Sequence, residues 1–222
     1  LSNILKEDSF TSLEKVTNEY DQRTVSHNEA AYLLGLLANN WNMEKKTITW
    51  WQFLCMGLLY IVLVLAASFT GYLNPTCWAY YSVPAALLAV GPYYWLSAPW
   101  QKFGVGTFMA LMLMLFCIAT GEAKGVLPRI MMLGGGVLAD VIRMWVGQDS
   151  KKGLYAAYPL LAIGNIGWVI RIWSTPDWYI QGAIDEMGQT YADGIAQLQT
   201  PGHLITVIIL TAAVAAVSIL LC

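Results

Sequence analysis

Residues 48–222 carry only fourteen charged side chains, seven basic and seven acidic, set among long apolar runs. No other feature limits the fold as strongly. A helix needs roughly 20 apolar residues to cross the hydrocarbon core of a bilayer. The stretch from residue 48 to the end has room for about six such spans, joined by short loops and little else. Helices are required because hydrocarbon offers backbone N–H and C=O groups no partner outside the chain. The sequence therefore predicts an all-α polytopic membrane protein with six transmembrane helices.

The expected spans cover about 48–71, 77–96, 103–121, 126–146, 153–173 and 201–222. Span 1 is entered through Trp50 and Trp51, and span 2 is broken by Pro84 and Pro92. Span 4 starts at Pro128 and carries Gly134-Gly135-Gly136, suited to close helix approach or a kink. One long loop joins spans 5 and 6. Its middle, residues 178–198, has helical spacing of polar and apolar residues and reads as an amphipathic helix on the outer surface. Residues 1–47 differ in kind: they hold twelve of the 26 charges. They read as a polar, amphipathic N-terminal extension, either an interfacial helix, a second piece of the protein or an added segment. Met43-Glu44-Lys45-Lys46 resembles a natural start. Span 6 ends at Cys222 without a basic flank, so a cytoplasmic tail is expected to follow.

Charge sets the orientation and excludes several functions. Lys45, Lys46, Lys102, Arg143, Lys151 and Lys152 fall on one side of the spans; Lys124, Arg129 and Arg171 fall on the other. The positive-inside rule then places both ends of the bundle in the cytoplasm of a bacterial-type plasma membrane. A net charge of −2 argues against nucleic acid as a partner. Cys55, Cys77, Cys117 and Cys222 have no metal-ligand spacing, and no metal or cofactor is expected. No G-x-x-x-x-G-K-[ST], H-E-x-x-H or G-x-S-x-G run occurs, so no catalytic residue is assigned.

Polar and aromatic residues gather at the outer ends of the spans. The candidate substrate-binding set is Tyr72, Asn74, Trp78, Tyr81, Arg129, Asn165, Trp168 and Arg171. Together they could line an outward-facing pocket for a small organic ligand. The Tyr72–Asn74 turn would close it. Arg129 and Arg171 could fork onto a carboxylate or phosphate, so an anionic cargo with a flat ring would use both arginines and rings. The plainer reading is an aromatic belt, arginines reaching headgroups, and Asn165 bonded to a neighbouring helix. Asp140 and Arg143, three apart on span 4, could form a local ion pair or help dock a partner.

Several runs carry a family resemblance: Pro84-Ala85-Ala86-Leu87-Leu88 with Gly91-Pro92-Tyr93; Gly104-Val105-Gly106-Thr107-Phe108-Met109; Gly136-Val137-Leu138-Ala139-Asp140; Ser150-Lys151-Lys152-Gly153; and Gly164-Asn165-Ile166-Gly167. From residue 48 onward the chain resembles the substrate-binding S component of energy-coupling factor (ECF) transporters, in the MptD or Trep_Strep branch. The resemblance implies capture of a vitamin-like or other micronutrient from outside. It also implies partners: a transmembrane coupling subunit and two cytoplasmic ATPase subunits that supply the energy. Many S components dock through an A-x-x-x-A pair on span 1. Here the cytoplasmic half of span 1 offers Gly57 as its small residue, with Asp140 and Arg143 as further docking candidates. The alternative function is a non-transporting membrane scaffold, assembly factor or sensor.

Overall fold

The computed structural model describes residues 46–222 apart from residue 123. The expectations for the N-terminal extension lie outside the described residues. All regular structure among the described residues is helical. Helix α1 is Trp50–Ser68, continued by a 3₁₀ turn at Phe69–Tyr72. Three short helices follow: α2 (Pro75–Ala79), α3 (Ser82–Leu88) and α4 (Val90–Ser97). Then come α5 (Val105–Ala119), α6 (Val126–Val146) and α7 (Lys151–Gly164), the last prolonged by a 3₁₀ turn at Asn165–Trp168. The short α8 (Arg171–Ser174) leads into α9 (Pro176–Met187) and α10 (Gln189–Gln197), and α11 (Pro201–Leu220) closes the fold.

Local chemistry sets these bounds. The Gln52 carboxamide accepts from the Thr49 N–H at 2.8 Å and caps α1. Asn74 accepts from the Thr76 N–H at 2.8 Å and caps α2, with Pro75 at the first helical position. Pro84 and Pro92 stand in the first turns of α3 and α4. A proline there forfeits no intrahelical bond, whereas mid-helix it would, so the chain restarts a helix before each. The expected span 2 is thus three helices. The amphipathic segment expected on the outer surface is two helices, because Gly188, at φ +88°, ends α9 in a conformation that favours glycine.

Two helices among the described residues are long and apolar enough to cross a bilayer alone: Trp50–Tyr72, 23 residues, and Pro201–Leu220, 20 residues. The other expected spans fall short for identifiable reasons. The second is broken, and α5 and α7 have 15 and 14 residues. Helix α6 has the length but carries Arg129, Asp140 and Arg143.

Outward-facing surfaces are apolar. Helix α1 buries Phe53, Gly57, Tyr60, Ile61, Val64 and Ala67 as one stripe, yet leaves Leu58 and Val62 more than half exposed on the other. Ile205, Ile209 and Val217 do the same on α11, and Ile130 and Leu138 on α6. A water-facing helix would carry polar side chains at these positions. Large exposed apolar faces mark a surface built for lipid or a partner.

Helix α6 packs between α5 and α7 and runs unbroken through its three glycines. A Cβ on Gly135 would lie 2.5 Å from the Cα of Gly164 on α7 and 2.9 Å from the Leu160 carbonyl oxygen. A Cβ on Gly136 would meet the Gly106 carbonyl oxygen of α5 at 2.5 Å. Gly134 has open space. The glycine run therefore serves close approach rather than a kink. Gly135→Ala is expected to lower stability by about 1–3 kcal/mol, because backbone atoms must yield. Gly134→Ala is expected to be neutral or slightly stabilising. Thermal unfolding in detergent separates the two; equal midpoints would refute the packing argument.

Candidate functional site

One end of the bundle is covered by α9 and α10. Two hydroxyls fasten this cap. The Tyr191 hydroxyl donates to the Gly71 carbonyl at 2.8 Å. The Tyr179 hydroxyl accepts from the Trp78 indole N–H. The Trp173 indole N–H also donates to the Leu198 carbonyl at 2.9 Å, tying α8 to the end of α10. Burial pushes the Tyr191 hydroxyl up to about 12, and that of Tyr179 higher still. Both therefore keep their protons throughout the physiological range.

Beneath the cap lies a cavity of about 160 Å³. That is the scale of a hole able to take one benzene-sized ring. Gly71 and Tyr72 contribute from the end of α1, Trp78 from α2 and Glu122 from the turn after α5. The cap supplies Trp178, Tyr179, Gly182, Ala183, Glu186, Met187 and Tyr191. The α9 residues Tyr179, Gly182, Ala183 and Glu186 recur at i, i+3, i+4 and i+7, one face of a helix.

Under Trp78 is a second tier of rings. Trp78 stacks on Tyr81 with centroids 6.0 Å apart, and Trp168 meets both edge-on, at 6.1 and 5.4 Å. Trp168 directs its indole N–H toward Glu122 Oε2 at 3.5 Å. The Tyr81 hydroxyl donates to the Asn165 carbonyl. The Asn165 side chain is paired with the Tyr60 hydroxyl, its Nδ2 at 2.9 Å.

The eight candidate residues thus take different places. Tyr72 and Trp78 line the cavity. Tyr81, Trp168 and Asn165 form the tier that supports Trp78, with Asn165 bonded to a neighbouring helix. Asn74 caps α2 and does not line the cavity. Arg171 lays its guanidinium 3.2 Å from the Trp178 ring centroid and donates from Nε to Thr175 Oγ1 at 3.2 Å. Arg129 is exposed in the first turn of α6 and does not line the cavity either. Beyond the candidate set the cavity is lined by Glu122, Tyr179, Glu186 and Tyr191. The periodic face of α9 was the available signal for Tyr179 and Glu186. For Glu122 the signal was its place in the turn between two apolar runs, whereas Tyr191 reaches the cavity through the fold alone.

The docking candidates are interior. Gly57 is where Phe108 packs: a Cβ there would lie 2.8 Å from the Phe108 ring. Asp140 and Arg143 are each 1% exposed. In place of an ion pair, they turn to different partners. Asp140 accepts from the Gly106 N–H at 2.9 Å, and from the Thr107 N–H and hydroxyl, both at 2.7 Å. It thereby caps α5 from a neighbouring helix. Arg143 Nη2 donates to the carbonyls of Ser97 and Gln148, the latter at 2.9 Å. It thus joins the end of α4 to the α6–α7 turn. Among the described residues no cluster of three or more His, Cys, Asp or Glu is placed to hold a metal ion.

The helical fold of the described residues, two helices long and apolar enough to cross a bilayer, and apolar outward faces are the features expected of an integral membrane protein. Residues 52–222 match the model of the Trep_Strep family, described as a hypothetical bacterial integral membrane protein, and the chain belongs to that family. Comparison with curated proteins and with solved structures found no match in either.

Proposed function

We propose that this chain is the substrate-binding S subunit of an ECF-type importer, built as a six-span bundle. The carrying observation is the cavity under the cap: a ring-sized space at one end of a membrane bundle, walled by aromatics and partly covered by a helical pair held through a few hydrogen bonds. Such a site suits capture of a small organic solute. In this reading the broken α2–α4 segment counts as one crossing, and α7 with its 3₁₀ extension as another. A protein of this kind hydrolyses no ATP and takes its energy from a coupling subunit and two ATPase subunits. Gly57, Asp140 and Arg143 are buried, so they would act on docking only by holding their end of the bundle in shape.

The decisive experiment is affinity purification from the native membrane. A coupling subunit and two ATPase subunits should copurify, and mass spectrometry should find a small molecule retained. A chain recovered without either would instead favour the scaffold or sensor reading. The orientation is tested separately. In Gln189→Cys, the new thiol on α10 should react with an impermeant maleimide on intact cells. Labelling only after lysis would reverse the topology.

A further inference from the structure

The charges on the cavity wall are of the opposite sign to those expected from the sequence. Its ionisable lining at neutral pH is Glu122 and Glu186. Neither Arg129 nor Arg171 lines it, and no lysine does. The rest of the wall is dominated by ring systems: Tyr72, Trp78, Trp178, Tyr179 and Tyr191. Aromatic faces attract cations through their quadrupole, and more strongly where water is thinned out. The protein already uses Trp178 in this way. Arg171 lies 3.2 Å from its ring centroid, and Lys124 Nζ lies 5.6 Å from it. These two cations are the local opposition to a positive ligand. Arg171 is held in place by its bond to Thr175 and its stacking on Trp178.

We propose that the capped cavity takes a small organic cation, an amine or ammonium group carried on or beside a flat ring, with Glu122 and Glu186 as counter-charges. This inference rests on the reading of the cavity as the cargo site. Glu122 approaches from the turn after α5 and Glu186 from the cap. A cation held between them would therefore tie the cap to the bundle in addition to its two hydroxyl contacts. An anion in the same place would face two carboxylates and gain nothing from the rings.

Three probes sharing one ring test the sign: benzylammonium, benzyl alcohol and benzoate, titrated calorimetrically into the full chain in detergent. Benzylammonium should bind at least tenfold more tightly than benzyl alcohol, with benzoate weakest. In the Glu122→Gln, Glu186→Gln double variant, benzylammonium should fall to the affinity of benzyl alcohol. Binding of benzyl alcohol itself should be unchanged, which confirms an intact cavity. Equal affinity for the three probes, preference for benzoate, or a double variant that still prefers benzylammonium would each overturn the proposal. Copurification of the energising subunits is an independent readout. If they copurify while benzylammonium shows no preference, the cation inference fails and the importer reading stands. If benzylammonium is preferred and no subunits copurify, the cation site stands and the importer reading fails.

Discussion

Asp140→Ala is expected to destabilise the bundle by on the order of 3 kcal/mol, because hydrogen bonds to a charged group are worth more than neutral ones. Its carboxylate is buried and satisfies three donors at the start of α5: the N–H groups of Gly106 and Thr107, and the Thr107 hydroxyl. Removing it leaves the two N–H groups without that acceptor in a dry place. It also takes a negative charge from the positive end of the α5 dipole. Asp140→Asn should cost less, since one oxygen still accepts while the amide faces a donor. Unfolding in a denaturing detergent titration, followed by circular dichroism, would rank wild type above Asn above Ala. An Ala variant as stable as wild type would show that the cap contributes nothing to the fold.

Trp78→Ala is expected to loosen the cap more than any other single change at the cavity. The indole lines the cavity, donates to the Tyr179 hydroxyl, stacks on Tyr81 and meets Trp168 edge-on. Aromatic pairs contribute about 0.5–1.5 kcal/mol each beyond their buried area. Losing two pairs and a hydrogen bond should therefore speed amide exchange in residues 176–197 by tenfold or more, equivalent to at least about 1.4 kcal/mol. Tyr191→Phe removes only the bond to Gly71 and should give a smaller acceleration. Hydrogen exchange with mass spectrometry resolves both. Exchange unchanged in Trp78→Ala would remove Trp78 as the post on which the cap rests.

How far the candidate site could be read depended on where each contact lies along the chain. Trp78, Tyr81 and Trp168 were legible as aromatics near helix ends, but not which of them lines the cavity and which supports from below. That division depends on Tyr81 reaching the Asn165 carbonyl from 84 residues away. Arg171 could be read as an anion ligand or as a headgroup anchor. The fold lays it on Trp178, seven positions along the chain, where the short α8 leads into the proline-led start of α9. Asp140 and Arg143 had the spacing of an ion pair, but spacing along one helix does not reveal donors on another. The α5 N-terminus and the Ser97 carbonyl compete for them and win.

By itself the sequence determined the solvent and the class of element. Long apolar runs with few charges require lipid, and lipid requires backbone bonds closed within each segment, hence helices. Pro84, Pro92 and Gly188 mark helix breaks, because missing N–H groups and positive φ are local properties of single residues, although Pro159 lies inside α7 without ending it. The tertiary structure alone decided the cavity and the sign of its charge. Glu122, Glu186 and the aromatic walls come from segments up to 120 residues apart, and nothing local records that they meet. Their meeting follows from a cap fastened by two hydroxyls to the turn after α1 and to α2.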